Sequence, residues 1–206
     1  MPFPKLVGGH IALDFANTID DRQSAPNSGD HPTDCLTDYA AWVRWNHYAS
    51  SLADGQMAAL LALAERRPEQ AMRAFQTAIA LRETLYRLFS AVAGRRPLPP
   101  DDLARFNQQL ALALPQLQLL PQAETLGCAL GWDANLTLER PLHMVLWAAA
   151  ELLTDSRLHR LRECEADDCT WLFLDTTRNH SRHWCDMAEC GNRAKARRFY
   201  QKTRKG

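Results

Sequence analysis

Four of the six cysteines fall within 27 positions: Cys164 and Cys169 are separated by four residues, Cys185 and Cys190 likewise, and fifteen residues lie between the pairs. Two short loops that each offer two sulfurs can close a tetrahedron around one divalent ion, and four thiolates leave no open position for water. The spacing therefore predicts one structural Zn2+ held by Cys164, Cys169, Cys185 and Cys190, with an iron–sulfur cluster as the chemical alternative. Separate buried thiols would account for a single cysteine more readily than for two equal pairs. Cys35 and Cys128 stand apart, and each is expected to act as a small buried apolar residue. A module of about 45 residues is too small to assemble a sufficient core, so metal ligation must supply the missing stability.

Charge is distributed as unevenly as sulfur. The chain is formally neutral, yet residues 157–206 carry twelve Lys/Arg against seven Asp/Glu, leaving twelve against seventeen in residues 1–156. From Cys190 onward there are seven basic residues and no acidic one. A cationic tail on an acidic body suits a polyanionic partner. At 206 residues, with 46% apolar and 23% charged residues, the chain has room for one ordinary domain and a small module, and enough apolar side chains for a core. The opening Met1–His10 lacks a basic leader followed by an apolar run, and the most hydrophobic stretch, Leu142–Leu153, is short and contains His143 and Glu151. A cytoplasmic protein with no membrane partner is expected.

Patterning divides the chain into a mostly helical α+β domain over residues 1–160, with a small sheet, and a zinc-binding module over residues 161–206. Gly9–Thr18 alternates as an early strand, and Asp20–Pro32 reads as a loop. Thr37 is the expected N-cap of a helix through Trp42, Trp45 and Tyr48, and Asp54 that of a second through Met57, Leu60 and Leu61. Pro68 opens a longer helix that ends at Gly94, and Asp101 and Asp102 open another that runs to about Leu114. Gln116–Trp132 reads as two strands around a turn, and Pro141–Leu161 as a final helix leading without a flexible linker toward Cys164, so the two units should be rigidly joined.

The module has the outline knuckle, β-hairpin, knuckle, helix, a treble-clef-like plan. Trp171-Leu172-Phe173-Leu174-Asp175 forms the strand after the first pair, and Arg182-His183-Trp184 leads into the second. Trp171, Phe173 and Trp184 are expected to cover the metal, with base stacking as the alternative for one that is exposed. Gly191 is expected to take positive φ, and Asn192 to cap a helix to about Thr203 whose Ala196, Phe199, Tyr200 and Thr203 stripe packs inward. Its flanks would then offer Arg193, Lys195, Arg197, Arg198 and Lys202 to nucleic acid, with Arg182 added from the hairpin. Arginines suit guanine edges, and lysines suit phosphates.

These residues resemble a known family. Cys190-Gly191-Asn192-Arg193, with Trp184-Cys185 before it and Lys195 and Arg197-Arg198 after it, is similar to the CGNR zinc finger, as are the two equal cysteine pairs and the Trp171–Asp175 strand. Leu13-Asp14-Phe15-Ala16-Asn17-Thr18 and the helix leading into the finger resemble the ABATE domain that precedes this finger in stress-induced bacterial transcription regulators. The resemblance implies zinc on the four cysteines and DNA on the basic residues. His183 stands where such fingers often carry Arg.

A DNA-binding regulator is the leading expectation, with the N-terminal domain as effector or partner platform and a homodimer as one route to specificity. Asp14, Asn17 and Thr18 are candidates to line a small-molecule effector pocket, although Asn and Thr there can equally make turn hydrogen bonds. The alternatives are a protein-interaction or RNA-binding module, and a metal-dependent nuclease built on His180 and His183 with Asp175 or Asp186. With no phosphate loop, nucleophile elbow or paired-carboxylate motif in the sequence, the protein is expected not to be an enzyme.

Overall fold

A computed structural model describes residues 3–20, 22, 34–122 and 126–203, with Lys202 and Thr203 described by their backbone alone. Most of the expected Asp20–Pro32 loop lies outside the described residues. Gly9–Thr18, expected as a strand, instead contains the helix α1, Ile11–Ala16. The His10 ring accepts a hydrogen bond from the Ala12 amide (3.3 Å), which caps the first turn. Ala12, Leu13, Phe15 and Ala16 are fully buried. A short helix buried on nearly every side belongs at the centre of a core, and over six residues its pattern cannot be told from a buried strand.

Helices α2 (Tyr39–Tyr48), α3 (Asp54–Arg66) and α4 (Pro68–Ala93) follow as expected, with altered caps. Asp38, not Thr37, caps α2 by accepting from the Ala41 amide at 2.7 Å. Asp54 is the first residue of α3, where Gln56 reaches back to the Ala53 amide. Pro68 and Gly94 bracket α4, whose Ala71, Ala74, Ala78, Leu81, Leu85, Leu88 and Phe89 form the long buried stripe. Trp42 and Trp45 stack with ring centroids 5.6 Å apart, and Phe15 of α1 sits 4.5 Å from Trp42.

Helix α5 (Pro100–Ala113) leads to an antiparallel hairpin of β1 (Leu117–Pro121) and β2 (Cys128–Trp132), in which Leu117 faces Trp132. Cys128 is exposed, contrary to the expectation that it is buried. Helix α6 (Arg140–Thr154) stops short of the expected Leu161. Asp155 takes an extended conformation and caps a 3-10 turn over Ser156–Arg160, which delivers the chain to β3 (Leu161–Glu163). Strand β3 pairs antiparallel with β4 (Leu172–Leu174), with Leu161 opposite Leu174.

The β3–β4 hairpin serves two cores at once. Successive side chains of a strand point to opposite faces. Leu172 and Leu174, together with Leu161, belong to the main core shared with α1, α4 and α6. Phe173, between them, points into a second cluster with Cys164, Cys185 and Cys190. The hairpin thus frames the first cysteine pair, whereas the sequence outline had placed it between the pairs. Helix α7 (Asn192–Thr203) follows a wide π-helical turn, Met187–Gly191. Among the described residues, no helix is long and apolar enough to cross a membrane.

The join between the two parts is extensive. The Asn17 side chain exchanges two hydrogen bonds with the Leu172 backbone, both 2.8 Å. The Gly8 carbonyl accepts from the Leu174 amide, and Glu163 accepts from the hydroxyls of Tyr86 and Ser90 on α4. Lys5 reaches the second knuckle, pairing with Asp186 and Glu189. These contacts agree with the rigid attachment expected from the missing linker.

Candidate metal centre and nucleic-acid interface

The four sulfurs of Cys164, Cys169, Cys185 and Cys190 all lie within 4.8 Å of one another. Cys185 Sγ stands 3.6 Å from the sulfurs of both Cys169 and Cys190. Zinc–sulfur bonds of about 2.3 Å arranged as a tetrahedron require sulfurs about 3.8 Å apart, so the cluster fits zinc closely. Local structure explains the convergence. The Cys164 amide bonds the Trp171 carbonyl, continuing the hairpin ladder, and the Cys169 amide closes a tight turn on Ala166. Glu165 N–H donates to the His183 carbonyl, which ties the first knuckle to the second. The Cys185 amide points at Cys164 Sγ (3.4 Å).

Without a cation such a cluster is frustrated. Hydrogen bonds from Cys169 and Cys185 draw the Cys164 thiol down to about 2, while the neighbouring Cys164 sulfur pushes the thiols of Cys169 and Cys185 up. A divalent ion lets all four ionise together. Phe173 is buried beneath the sulfurs, with Trp171 and Trp184 half-buried at the sides, as expected for a covered structural site.

Gly191 has no positive φ; the expectation of a left-handed residue is corrected. A Cβ there would lie 2.5 Å from Met187 Sδ and 3.4 Å from the Trp184 ring, so the half-exposed Met187 side chain would have to swing aside to admit one. Asn192 is not a cap but continues the helix, its side-chain amide donating to the Ala188 carbonyl. Asp186 caps the preceding turn through the Ala188 amide (2.7 Å).

The basic residues expected to meet nucleic acid divide into three groups. Arg182 is turned inward: Nε donates to the Trp184 carbonyl, Nη2 to the carbonyls of Val7 and Cys185, and the guanidinium lies 4.3 Å from the Phe173 ring centroid. It holds the fold and is withdrawn as a DNA contact. Arg193 and Arg197 brace α7 against the first knuckle. Arg193 Nη2 lies 3.2 Å from Cys190 Sγ and its Nε 3.5 Å from Asp168, while Arg197 reaches Asp168 at 2.8 Å and Asp167 at 3.4 Å. Lys195 and Arg198 are exposed and have no ion pair among the described residues. The side chain of Lys202 lies outside the described residues.

Replacing Arg182 by Met should therefore destabilise the protein by about 1–3 kcal/mol, because it leaves three half-buried carbonyls without a charged donor. Thermal melting beside DNA titration of the folded variant will check this. An unchanged melting temperature with weakened DNA binding would restore Arg182 to the interface.

Asp14, Asn17 and Thr18 are engaged in the fold, which corrects their reading as an effector pocket. Asp14 accepts from the Gly8 amide (2.7 Å), and burial pushes its carboxyl up to about 6 against the opposing pull of that bond. Thr18 donates to the Phe15 carbonyl and receives Arg82, whose guanidinium is held at both ends of the Asp34 carboxylate. His180 and His183 are not brought to one metal site. His180 faces His159 with ring centroids 6.5 Å apart, and His183 Nδ1 lies 2.9 Å from Glu165. Asp175 is buried; burial opposes its ionisation, but hydrogen bonds from Thr177 and Arg182 outweigh that and hold its carboxyl below the usual range. The carboxylates that a nuclease would need are thus tied into turns. His143 is a buried packing residue beside Trp132, its imidazole pushed down by burial.

Sequence reasoning missed the acidic pair Asp167–Asp168 as the seat of α7. It also missed an apolar groove of about 600 Å3 between α2, α3 and α4, lined by Tyr39, Leu61, Ala71, Met72 and Phe75 with Arg44 at its rim. Adjacent acids are a visible signal for the first, since they precede a basic helix that needs a partner; the groove has no local signature.

A helical domain is thus fused through a shared hairpin to a four-cysteine cluster with the geometry of a zinc-finger site. Residues 9–156 match the ABATE family, described as a putative stress-induced transcription regulator, and residues 160–203 match the CGNR zinc finger. The chain belongs to the ABATE family and ends in a CGNR finger, as its motifs had indicated. Among curated proteins, no sequence matches it.

Proposed function

We propose that this protein is a cytoplasmic, non-catalytic DNA-binding regulator of a stress response, in which one structural Zn2+ fixes the orientation of α7 and the helical domain acts as effector or partner platform. The observation that carries the reading is the anchoring of α7. A basic helix with no acidic residue from Cys190 onward projects from the cysteine cluster, with Lys195 and Arg198 exposed. Both Arg197 pairs are exposed ones, and such pairs are worth about 0–1 kcal/mol, so a phosphate can take over the Arg197 guanidinium. The apolar groove on the helical domain supports the platform role, because its size falls within the range of small-ligand sites. A single finger buries roughly 600–1,000 Å2 on DNA, which favours action as a homodimer.

Phosphate neutralisation should dominate the affinity. Besides Arg193 and Arg197, the sequence from Cys190 onward supplies five cations: Lys195, Arg198, Lys202, Arg204 and Lys205. If these five each meet a phosphate, log K against log salt on duplex DNA should have a slope near −4.5, that is, about −0.9 for each contact. Fluorescence anisotropy between 50 and 300 mM salt measures it, and a flat profile would overturn the reading. Competition by RNA at one fixed salt concentration separates DNA from RNA binding.

A further inference from the structure

Of the stripe expected to pack inward on α7, Ala196, Phe199 and Tyr200 face outward. Ala194, Arg197, Arg198 and Gln201 line the cleft against Glu165–Asp168 and Trp184. At about 100° per residue, Lys195, Ala196, Phe199 and Tyr200 then lie on the other side of the helix. Phe199 and Tyr200 are 64% and 66% exposed, their rings edge to face with centroids 6.0 Å apart. The reason is electrostatic and steric together: Asp167 and Asp168 draw the arginine side of the helix onto the knuckle, and Phe173, Trp171 and Trp184 already fill the space beside the sulfurs.

We propose that Phe199 and Tyr200 are base-stacking residues, and that α7 binds DNA whose base faces are accessible, in an unpaired strand or at an opened step, more tightly than closed duplex. The proposal rests on the DNA-binding reading and specifies which DNA the helix takes. Charge names the class of occupant: the strip is interleaved with Lys195 and flanked by Arg198, in a segment whose charged residues are all basic, and this is complementary to a polyanion. Aromatic rings set among cations suit a nucleic-acid strand, because every base offers a π face and stacking tolerates any sequence. An inserted apolar ring can likewise hold a duplex step open.

The test uses full-length, zinc-loaded protein with three DNAs of equal length: a single strand, a closed duplex, and a duplex with a central four-base bubble. Phe199→Ala and Tyr200→Ala should each weaken binding to the single strand and the bubble by about 5- to 100-fold. On closed duplex the same variants should change affinity by less than about threefold, the scale of a distant surface substitution. Phe199→Trp and Tyr200→Phe should retain the preference. Lys195→Ala should weaken all three DNAs together and flatten the salt dependence. Equal losses on all three DNAs from the aromatic variants, or no loss on any, would overturn the proposal while leaving DNA binding itself intact. If the wild type binds none of the three, the underlying reading fails with it. Sedimentation velocity covers the competing use of the strip: aromatic variants that convert a dimer to monomer, with unaltered DNA preference, would also overturn it. Because both rings are exposed, unchanged melting and zinc content are expected to show that the variants fold.

Discussion

Removal of the metal should melt the helical domain along with the finger. Taken as a separate module, residues 161–206 would be expected to unfold alone and leave a protease-resistant body. The structure changes that expectation, because Leu161, Leu172 and Leu174 of the finger's hairpin are 1%, 0% and 3% exposed within the main core. Burying a leucine contributes about 1.5–3 kcal/mol, so losing the hairpin removes about 5–9 kcal/mol. That is on the scale of a whole domain's stability, about 5–15 kcal/mol. Structural zinc supplies an apparent binding energy of about 10–16 kcal/mol near neutral pH, enough to hold the hairpin in place. Chelation, or Cys185→Ser, should lower the melting temperature by about 10–30 °C. Amide exchange should show α1 and α4 losing protection together with β3 and β4. Full protection of α1 and α4 beside a freely exchanging 161–203 segment would refute the coupling. The sign with pH follows from the ligands: thiolates must be deprotonated to hold the ion, so stability conferred by the metal is present at neutral pH and lost on acidification.

What could be read in advance was what local spacing dictates. Two equal cysteine pairs specify a tetrahedral site because four donors close in sequence need only two tight turns to meet. Pro68 and Gly94 bracket α4 because one lacks an amide hydrogen and the other stops a helix cheaply. What escaped depended on partners distant in the chain. The six residues of α1 show the same apolar pattern whether they form a buried helix or a buried strand, and only their place between α4, α6 and β4 decides. The seam of α7 was visible, but its direction was not, since that depends on whether any surface remains to receive it. Phe173 and the two half-buried tryptophans occupy that surface, and Asp167–Asp168 rewards the opposite face. Arg182 reads as one more cation of a basic finger, yet the carbonyls of Val7, Trp184 and Cys185 converge on it only after the second knuckle has folded over the N-terminal segment.

Asn17→Ala should be strongly destabilising although it lies outside the metal site. Strand β4 is paired with β3 along one edge, and Asn17 acts as a one-residue strand on the other, giving Leu172 both a donor and an acceptor at 2.8 Å across a separation of 155 residues. Asn17 is 2% exposed and Leu172 0%, so no water replaces the missing amide. Each buried backbone group left unpaired costs about 1–3 kcal/mol, and the substitution strands one N–H and one C=O, a loss of about 2–6 kcal/mol. With a melting shift of about 2–4 °C per kcal/mol for a chain of this length, a drop of roughly 5–20 °C is expected. Asn17→Asp should be no better, since it keeps the acceptor for the Leu172 amide but removes the donor and buries a charge. The distinguishing measurement is the linkage to metal. If Asn17 is the bond through which the finger supports the body, the variant's α1 amides should respond less to chelation than those of the wild type, in addition to its lower stability. A melting temperature within about 2 °C of the wild type, with an unaltered response of α1 to chelation, would mean that the Gly8 and Glu163 contacts carry the coupling and that Asn17 does not.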